Sequence, residues 1–236
     1  MVVSVIFSTG YRRHARDTRG SRYGSSMANE HYFSANPSSE TRARQVHVTL
    51  AGKPLTLTTA AGVFSPDGVD RGTRVLLGSV PPPSSSGALL DVGCGWGPIA
   101  ITMALESPDA HVWGVDVNER VLGLARDNAA AAGAANVTVG LPSEIPADLR
   151  FRTIWSNPPI RVGKDELHEI LLTWIPRLEI GGDAWLVVSK DLGGDSLQRW
   201  LGDTLGAGFR VARATTDKGF RVIRVHRVAE DTAAAD

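Results

Sequence analysis

From Ala88 onward the chain places short apolar runs between helical patterns, and that rhythm admits few folds. Apolar strands separated by amphipathic helices specify βαβ units, in which a parallel sheet is buried by helices on both faces. The runs lie near 88–92, 111–116, 136–140, 151–156, 183–189, 209–215 and 220–227. Val121, Leu122, Ala125, Ala129 and Ala132 keep one helical stripe that stops at Gly133, a residue suited to ending a helix. Leu167, Ile170, Leu171, Trp174, Ile175 and Leu178 form another, which Pro176 is expected to kink or end because it lacks an N–H. No helix fits between the last two runs, so they are expected to pair antiparallel at the sheet edge. The expectation is an α/β domain over 88–228 with a seven-stranded, mostly parallel sheet and a C-terminal antiparallel hairpin.

Upstream, "QVHVTLAGKPLTLTTAAGVF" alternates apolar and polar residues on either side of "AGKP", the pattern of two half-buried strands joined by a turn. "RGTRVLL" supplies a short helix and "SVPPPSSSG" a connection. Residues 27–87 therefore read as a small β-rich segment before the main domain, and 229–236 as a flexible tail. Residues 8–26 are rich in Arg, Ser and Gly without periodicity. Residues 1–26 are expected to be disordered or to lie upstream of the natural start, with a basic RNA-binding arm as the alternative.

Lys plus Arg and Asp plus Glu both number 25, so a generally basic, nucleic-acid-coating protein is excluded and any such contact must be a local patch. Cys94 is the single cysteine, which rules out an intrachain disulfide. No apolar run reaches the roughly 20 residues of a membrane span. The basic cluster after "MVVSVIF" reverses the order of a secretory signal, so a cytoplasmic location is expected. His31, His47 and His168 lack metal-ligand spacing, and no metal is expected.

"ALLDVGCGWGPIA" is a buried strand running into Gly93, Gly95 and Gly97 and then a helix. Glycines there allow a tight turn, let a ligand approach the backbone and aim a helix N-terminus at a negative group. The dinucleotide fingerprint would need glycine at 98, where this chain has Pro98. Asp116, in "HVWGVDVNE", closes the next strand 23 residues after Gly93, where an acid can accept both hydroxyls of a ribose. Asp91, at the end of the first strand, can face an ammonium group. The bland alternatives are a loop cap for Asp91 and a helix N-terminal acid for Asp116. Cys94 reads as a small buried filler, since no histidine lies near it in sequence to activate a thiol.

"DVGCGWG" followed by "GVDVNERVLGLARDNA" resembles motifs I and II of the class I S-adenosylmethionine-dependent methyltransferases, over roughly 88–228. The resemblance implies a Rossmann-like fold and S-adenosylmethionine as cofactor. The glycine loop would hold its methionine part, Asp91 would lie near its amino group, and Asp116 with the adjacent Val117 would line the ribose side. "GLPSEIP" occupies the place of the adenine-contacting segment and offers Ser143 and Glu144.

"SNPPI" ends the fourth strand of the core, beside the same crevice. Its prolines fix the backbone, remove N–H donors and leave carbonyls outward. An amide and a carbonyl held together make a paired acceptor for an –NH2 group and can direct its lone pair at a methyl donor. The segment resembles the asparagine-proline-proline-aromatic motif of methyltransferases acting on base amines or glutamine amides. Asn157, Pro158 and Pro159 match it, whereas Ile160 stands where the aromatic is usual. No strong general base is visible near Asn157.

"LTLTTAAGVFSPDGVDRGTRVLL", "SNPPIRVGKDELHEI" and "DKGFRVIRVHR" are similar to the ribosomal small-subunit guanine-N2 methyltransferases, over residues 31–228. That implies 16S rRNA or the small ribosomal subunit as partner, with "GVFSPDG" closing over the cofactor. Phe64 is a candidate for the pocket wall, with ordinary core packing as the alternative. Arg161 and Lys164 border the site as candidate substrate contacts. Arg42, Arg44 and Lys53 near the first hairpin, and Arg210, Arg213, Lys218, Arg221, Arg224 and Arg227 on the last, are candidate phosphate contacts. Rival readings are glutamine methylation of a release factor, methylation of a small-molecule amine, and a cofactor-binding assembly factor without turnover.

Overall fold

The computed structural model describes residues 43–159 and 163–229. Residues 1–42, Ile160, Arg161, Val162 and 230–236 lie outside the described residues, so the expectations for 1–26, Arg42, Ile160, Arg161 and nearly all of the tail are not addressed by it.

The first hairpin is β1 (Ala43–Leu50) and β2 (Lys53–Ala60), turning at Ala51 and Gly52, both at positive φ. Helix α1 (Arg71–Ser79) follows. The main sheet contains β3 (Gly87–Val92), β4 (Ala110–Val115), β5 (Val137–Gly140), β6 (Phe151–Ser156), β7 (Leu178–Ser189), β8 (Phe209–Asp217) and β9 (Phe220–Arg227). Between them run α2 (Pro98–Glu106), α3 (Glu119–Ala131), α4 (Lys164–Trp174) and α5 (Gly194–Thr204). The strand order is β5-β4-β3-β6-β7-β9-β8, parallel through β7, with β9 antiparallel to both β7 and β8. This is the seven-stranded α/β sheet with a C-terminal antiparallel hairpin expected from the sequence.

Adjacent residues on the central strands serve opposite faces, as the two-residue period of a strand requires. Leu89, Trp155 and Val222 join one core with Val46, Leu50 and Leu57 of the first hairpin, Leu76 of α1 and Ile101 of α2. Leu90, Ile154 and Ile223 join the other with Leu171 of α4 and Leu197 and Leu201 of α5. The upstream hairpin and α1 thus share the domain's own core.

One boundary differs from expectation. The stripe ending at Leu178 is not a single helix: α4 stops at Trp174, a 3-10 turn spans Ile175–Arg177, and Leu178 opens β7. Pro176 has no N–H to continue the α-helical ladder, and Leu178 pairs with Phe151 in the sheet.

The chain runs outward through β3, β4 and β5, then returns to β6 beside β3. The order reverses there, and a crevice opens beyond the C-terminal ends of those two strands.

Candidate functional site

Val92 and Ser156 are register partners at the ends of β3 and β6, and Ser156 Oγ donates to Val92 O at 2.7 Å. Gly93 and Asn157 therefore leave the sheet side by side. A Cβ placed on Gly93 would lie 3.8 Å from Pro159 Cδ, so the proline ring borders the space beside the glycine loop.

The loop folds back on β4. The N–H groups of Gly93 and Cys94 donate to Val115 O at 2.8 and 2.9 Å, and Gly95 N donates to Asp116 Oδ2 at 3.1 Å. Gly95 has φ 55°, and a Cβ there would meet nothing within 4 Å, so the loop faces open space with bare backbone. Its N–H groups are engaged by the protein itself, which alters the sequence expectation that α2 points at an external anion. Ala100 N, in the first turn of α2, donates to Asp91 Oδ2 at 2.9 Å. One N–H of the helix terminus is thus taken by the chain's own carboxylate.

Asp91 is fully buried, and its other oxygen, Oδ1, has no hydrogen-bond partner among the described residues. Burial pushes its pKa up to about 8, opposed by the Ala100 N–H and reinforced by the charge of Asp116. A buried acceptor without a donor is costly unless something supplies one. Asp116 is half-buried. Its Oδ1 accepts from Asn118 N at 3.0 Å, and burial raises its pKa against the opposing N–H groups of Asn118, Gly95 and Val117. Asp116 thereby braces the loop to the start of α3. Cys94 is buried, and burial holds its thiol well above the usual range, so it is the inert filler expected.

Val117 is 53 % exposed and Phe64 54 % exposed, which excludes core packing for Phe64. Ser143 is exposed, and Glu144 turns back so that its Oε2 accepts from Leu141 N at 2.7 Å. Lys164 is exposed in the first turn of α4.

Asn157 is half-buried, Pro158 buried and Pro159 half-buried. The Asn157 amide donates from Nδ2 to Asp70 Oδ2 at 3.0 Å and to Thr73 Oγ1 at 3.1 Å. Asp70 caps α1, with Oδ1 accepting from Gly72 N at 2.7 Å and Thr73 N at 3.2 Å. Neither Asp70 nor Thr73 was identified from sequence, where no strong general base is visible near Asn157; the structure brings the Asp70 carboxylate to its amide, already engaged by that amide and the α1 cap. "VDRGT" displays a capping residue ahead of a helix, a signal for α1 but not for a contact 87 residues away. Gly72 belongs to the same cluster: a Cβ there would sit 3.1 Å from Phe220 Cε1, so the turn between β8 and β9 presses on the start of α1.

The basic residues of that last hairpin are largely engaged inside the fold. Arg221 is buried and pairs with Asp195, Arg224 pairs with Asp183 at 2.7 Å and lies over Trp185, and Arg227 donates to Pro176 O and Leu178 O. Arg210 and Arg213 are exposed, and Lys218 lies 3.7 Å from Asp217. Arg44 pairs with Asp67 at 2.6 Å.

The crossed sheet, bare glycine loop and orphaned Asp91 oxygen fit a ligand that carries an ammonium group beside a ribose, and with the relatives below they define a class I S-adenosylmethionine-dependent methyltransferase. The profile of the methyltransferase small domain family matches residues 54–224, and the chain belongs to that family. It is 35% identical over 202 residues to Uncharacterized protein YbxB of Bacillus subtilis, covering 84% of this chain and 99% of that one. It is 37% identical over 144 residues to Ribosomal RNA small subunit methyltransferase C of Cronobacter sakazakii, covering 58% of this chain and 41% of that one. Against the protein of that name from Salmonella choleraesuis the figures are 32% over 179 residues, 72% and 49%. The chain thus spans about half the length, or less, of these two rRNA methyltransferase relatives. A solved structure, the T. thermophilus 16S rRNA N2 G1207 methyltransferase in complex with AdoMet and guanosine, shares the fold with TM-score 0.66. That match is 22% identical and covers 81% of this chain and 52% of that one. Among the described residues no helix is long and apolar enough to cross a membrane.

Proposed function

We propose that this methyltransferase modifies an exocyclic amine, N2 of guanine in 16S rRNA. The observation that carries the reading is the pairing of Val92 with Ser156, after which Pro159 lies beside Gly93 and the asparagine-proline-proline segment beside the glycine loop at neighbouring strand ends. The names of the rRNA methyltransferase relatives and the guanosine in the solved structure support the choice of base.

In this reading Gly93, Gly95 and Gly97 hold the methionine part of the cofactor, and Asp91 Oδ1 accepts from its ammonium group. Asp116 takes the ribose hydroxyls, with Val117, Ser143 and Phe64 bordering the nucleoside. Bound S-adenosylmethionine supplies an electrophilic methyl group on a sulfonium sulfur. Asn157 Oδ1 and the Pro158 carbonyl accept the two hydrogens of the target amine. A planar amine has a delocalised lone pair, and holding both hydrogens favours the geometry that frees it toward the methyl. The carboxylate of Asp70 is engaged by the α1 cap and the Asn157 amide, so catalysis rests on positioning and the proton leaves to water. Pro159 stiffens the clamp. Arg161 and Lys164, with exposed Arg210 and Arg213, contact phosphates without reading sequence. A guanine in a helix must be unpaired or flipped to reach this site.

The test incubates the protein with methyl-labelled S-adenosylmethionine and, separately, unmodified 30S subunits, naked 16S rRNA and release factors. Label in N2-methylguanosine is expected. Label in glutamine keeps the clamp and overturns the substrate, and label in none of them overturns the rRNA reading.

A further inference from the structure

The side chain of Asn157 has two ends of opposite chemistry, and only one can serve an amine clamp. The amide nitrogen carries two hydrogens, and the structure gives each a partner: Asp70 Oδ2 at 3.0 Å and Thr73 Oγ1 at 3.1 Å. An ionised carboxylate can only accept. Turning the amide over would press Asn157 Oδ1 against Asp70 Oδ2, two acceptors with no hydrogen between them.

Asp70 is itself held in place. Its Oδ1 accepts from Gly72 N and Thr73 N, and its Oδ2 lies 3.3 Å from Thr73 N as well. The helix it caps is anchored by buried Val75 and Leu76, and Thr73 is buried beside them. The carboxylate therefore has one rotamer that serves the cap, and that rotamer turns Oδ2 toward Asn157.

We propose that Asp70 and Thr73 are positioning residues that lock the Asn157 amide with Oδ1 outward and make the clamp acceptor-only. The site then takes a primary amine offering two N–H groups and rejects an edge that offers only lone pairs. This rests on the reading of Asn157 as the amine clamp. Selectivity for –NH2 is set by a carboxylate on the upstream helix, which need not touch the substrate.

The test reverses the polarity of the bond. Asp70→Asn keeps a good helix cap, because asparagine caps as well as aspartate. It sets an amide nitrogen against Asn157, which turns over to present its own –NH2 to the substrate. Asn157→Asp opposes two carboxylates. In the double variant D70N/N157D, Asn at 70 donates to Asp at 157, and an oxygen again faces the substrate. Binding of guanosine and of inosine, which lacks the 2-amino group, is measured by saturation-transfer NMR on protein loaded with S-adenosylhomocysteine. Methyl transfer to 16S rRNA is followed in parallel.

The parent is expected to prefer guanosine at least about tenfold, the order of one unmade hydrogen bond. Each single variant is expected to lose the preference and roughly 100-fold in transfer with cofactor affinity retained; Asp70→Asn is expected to keep the thermal midpoint, and Asn157→Asp to lower it through the opposed carboxylates. The double variant is expected to regain both, and Thr73→Val to fall in the same direction as the single variants. A double variant no better than Asn157→Asp, or an Asp70→Asn protein with unchanged preference, overturns the positioning role. A parent that binds inosine as well as guanosine, or an active Asn157→Ala, overturns the clamp reading instead.

Discussion

Asn128 in α3 and Thr58 in β2 exchange two hydrogen bonds across 70 residues of sequence: Thr58 N donates to Asn128 Oδ1 at 2.7 Å, and Asn128 Nδ2 donates to Thr58 O at 2.8 Å. The same nitrogen donates to Trp96 O, in the glycine loop, at 2.9 Å. One buried amide thus ties the upstream hairpin, the third helix and the cofactor loop together. The hairpin outside the main sheet is thereby bonded, through one side chain, to the glycine loop.

Asn128→Ala leaves the buried Trp96 O and the half-buried N–H and C=O of Thr58 without these partners, at about 1 to 3 kcal/mol for a group fully stranded. A total loss of about 3 kcal/mol is expected in urea denaturation, together with weaker cofactor binding. An unchanged midpoint would show that the hairpin is held by its apolar contacts alone.

Asp116→Ala and Asn157→Ala separate binding from transfer. The first removes an acceptor that Gly95 N and Asn118 N both use, so the loop loosens and cofactor affinity falls. The second leaves the loop intact, so cofactor binds and transfer stops. Calorimetric titration of both variants with cofactor makes the comparison. Equal loss of affinity in the two would count against the clamp.

The raised pKa of Asp91 makes cofactor binding depend on pH. Only the ionised carboxylate pairs with an ammonium group, and in the free protein ionisation waits until about pH 8. Affinity is expected to climb by up to about tenfold per pH unit below that value and to level off above it. For stability the sign is opposite. The folded state holds its proton more tightly than the unfolded chain, so Asp91 stabilises the free protein most at acidic pH. That contribution declines as pH rises from about 4 to about 8. Asp91→Asn removes both dependences, and calorimetry with thermal melts from pH 5.5 to 8.5 checks them.

Arginines of the last hairpin divide by role. Arg221 and Arg224 are paired within the fold, so Arg221→Ala and Arg224→Ala are expected to lower the thermal midpoint. Arg221 is the buried partner and Asp195 the exposed one, so Arg221→Ala costs the packing of the buried side chain, about 1 to 3 kcal/mol, and leaves the Asp195 carboxylate in water. Arg210 and Arg213 are exposed, so alanine there is expected to leave the melt unchanged and reduce the salt dependence of 16S rRNA binding by about one phosphate contact each. RNA affinity falling equally for all four would return the whole hairpin to the substrate surface.

The sequence alone determined the strand rhythm, the positions of the glycine loop, Asp91 and Asp116, and the Asn157-Pro158-Pro159 segment. Each of these is a local property: alternation, strand length, a positive-φ turn or a proline-stiffened end is written within one element and its flanks. Helix α4 shows the limit even there, because an apolar stripe through Leu178 satisfies helix and strand equally until the sheet claims Leu178. Only the tertiary structure decided which partners meet. Asp70 and Thr73 reach Asn157 because α1 packs on β7 and β9 next to β6, a consequence of strand order rather than spacing. Arg221 and Arg224, read as phosphate contacts, proved to be paired within the fold for the same reason, since Asp183 and Asp195 come from other elements. Local sequence sets what each backbone segment prefers; the partner of a polar side chain is set by the topology that brings distant segments into contact.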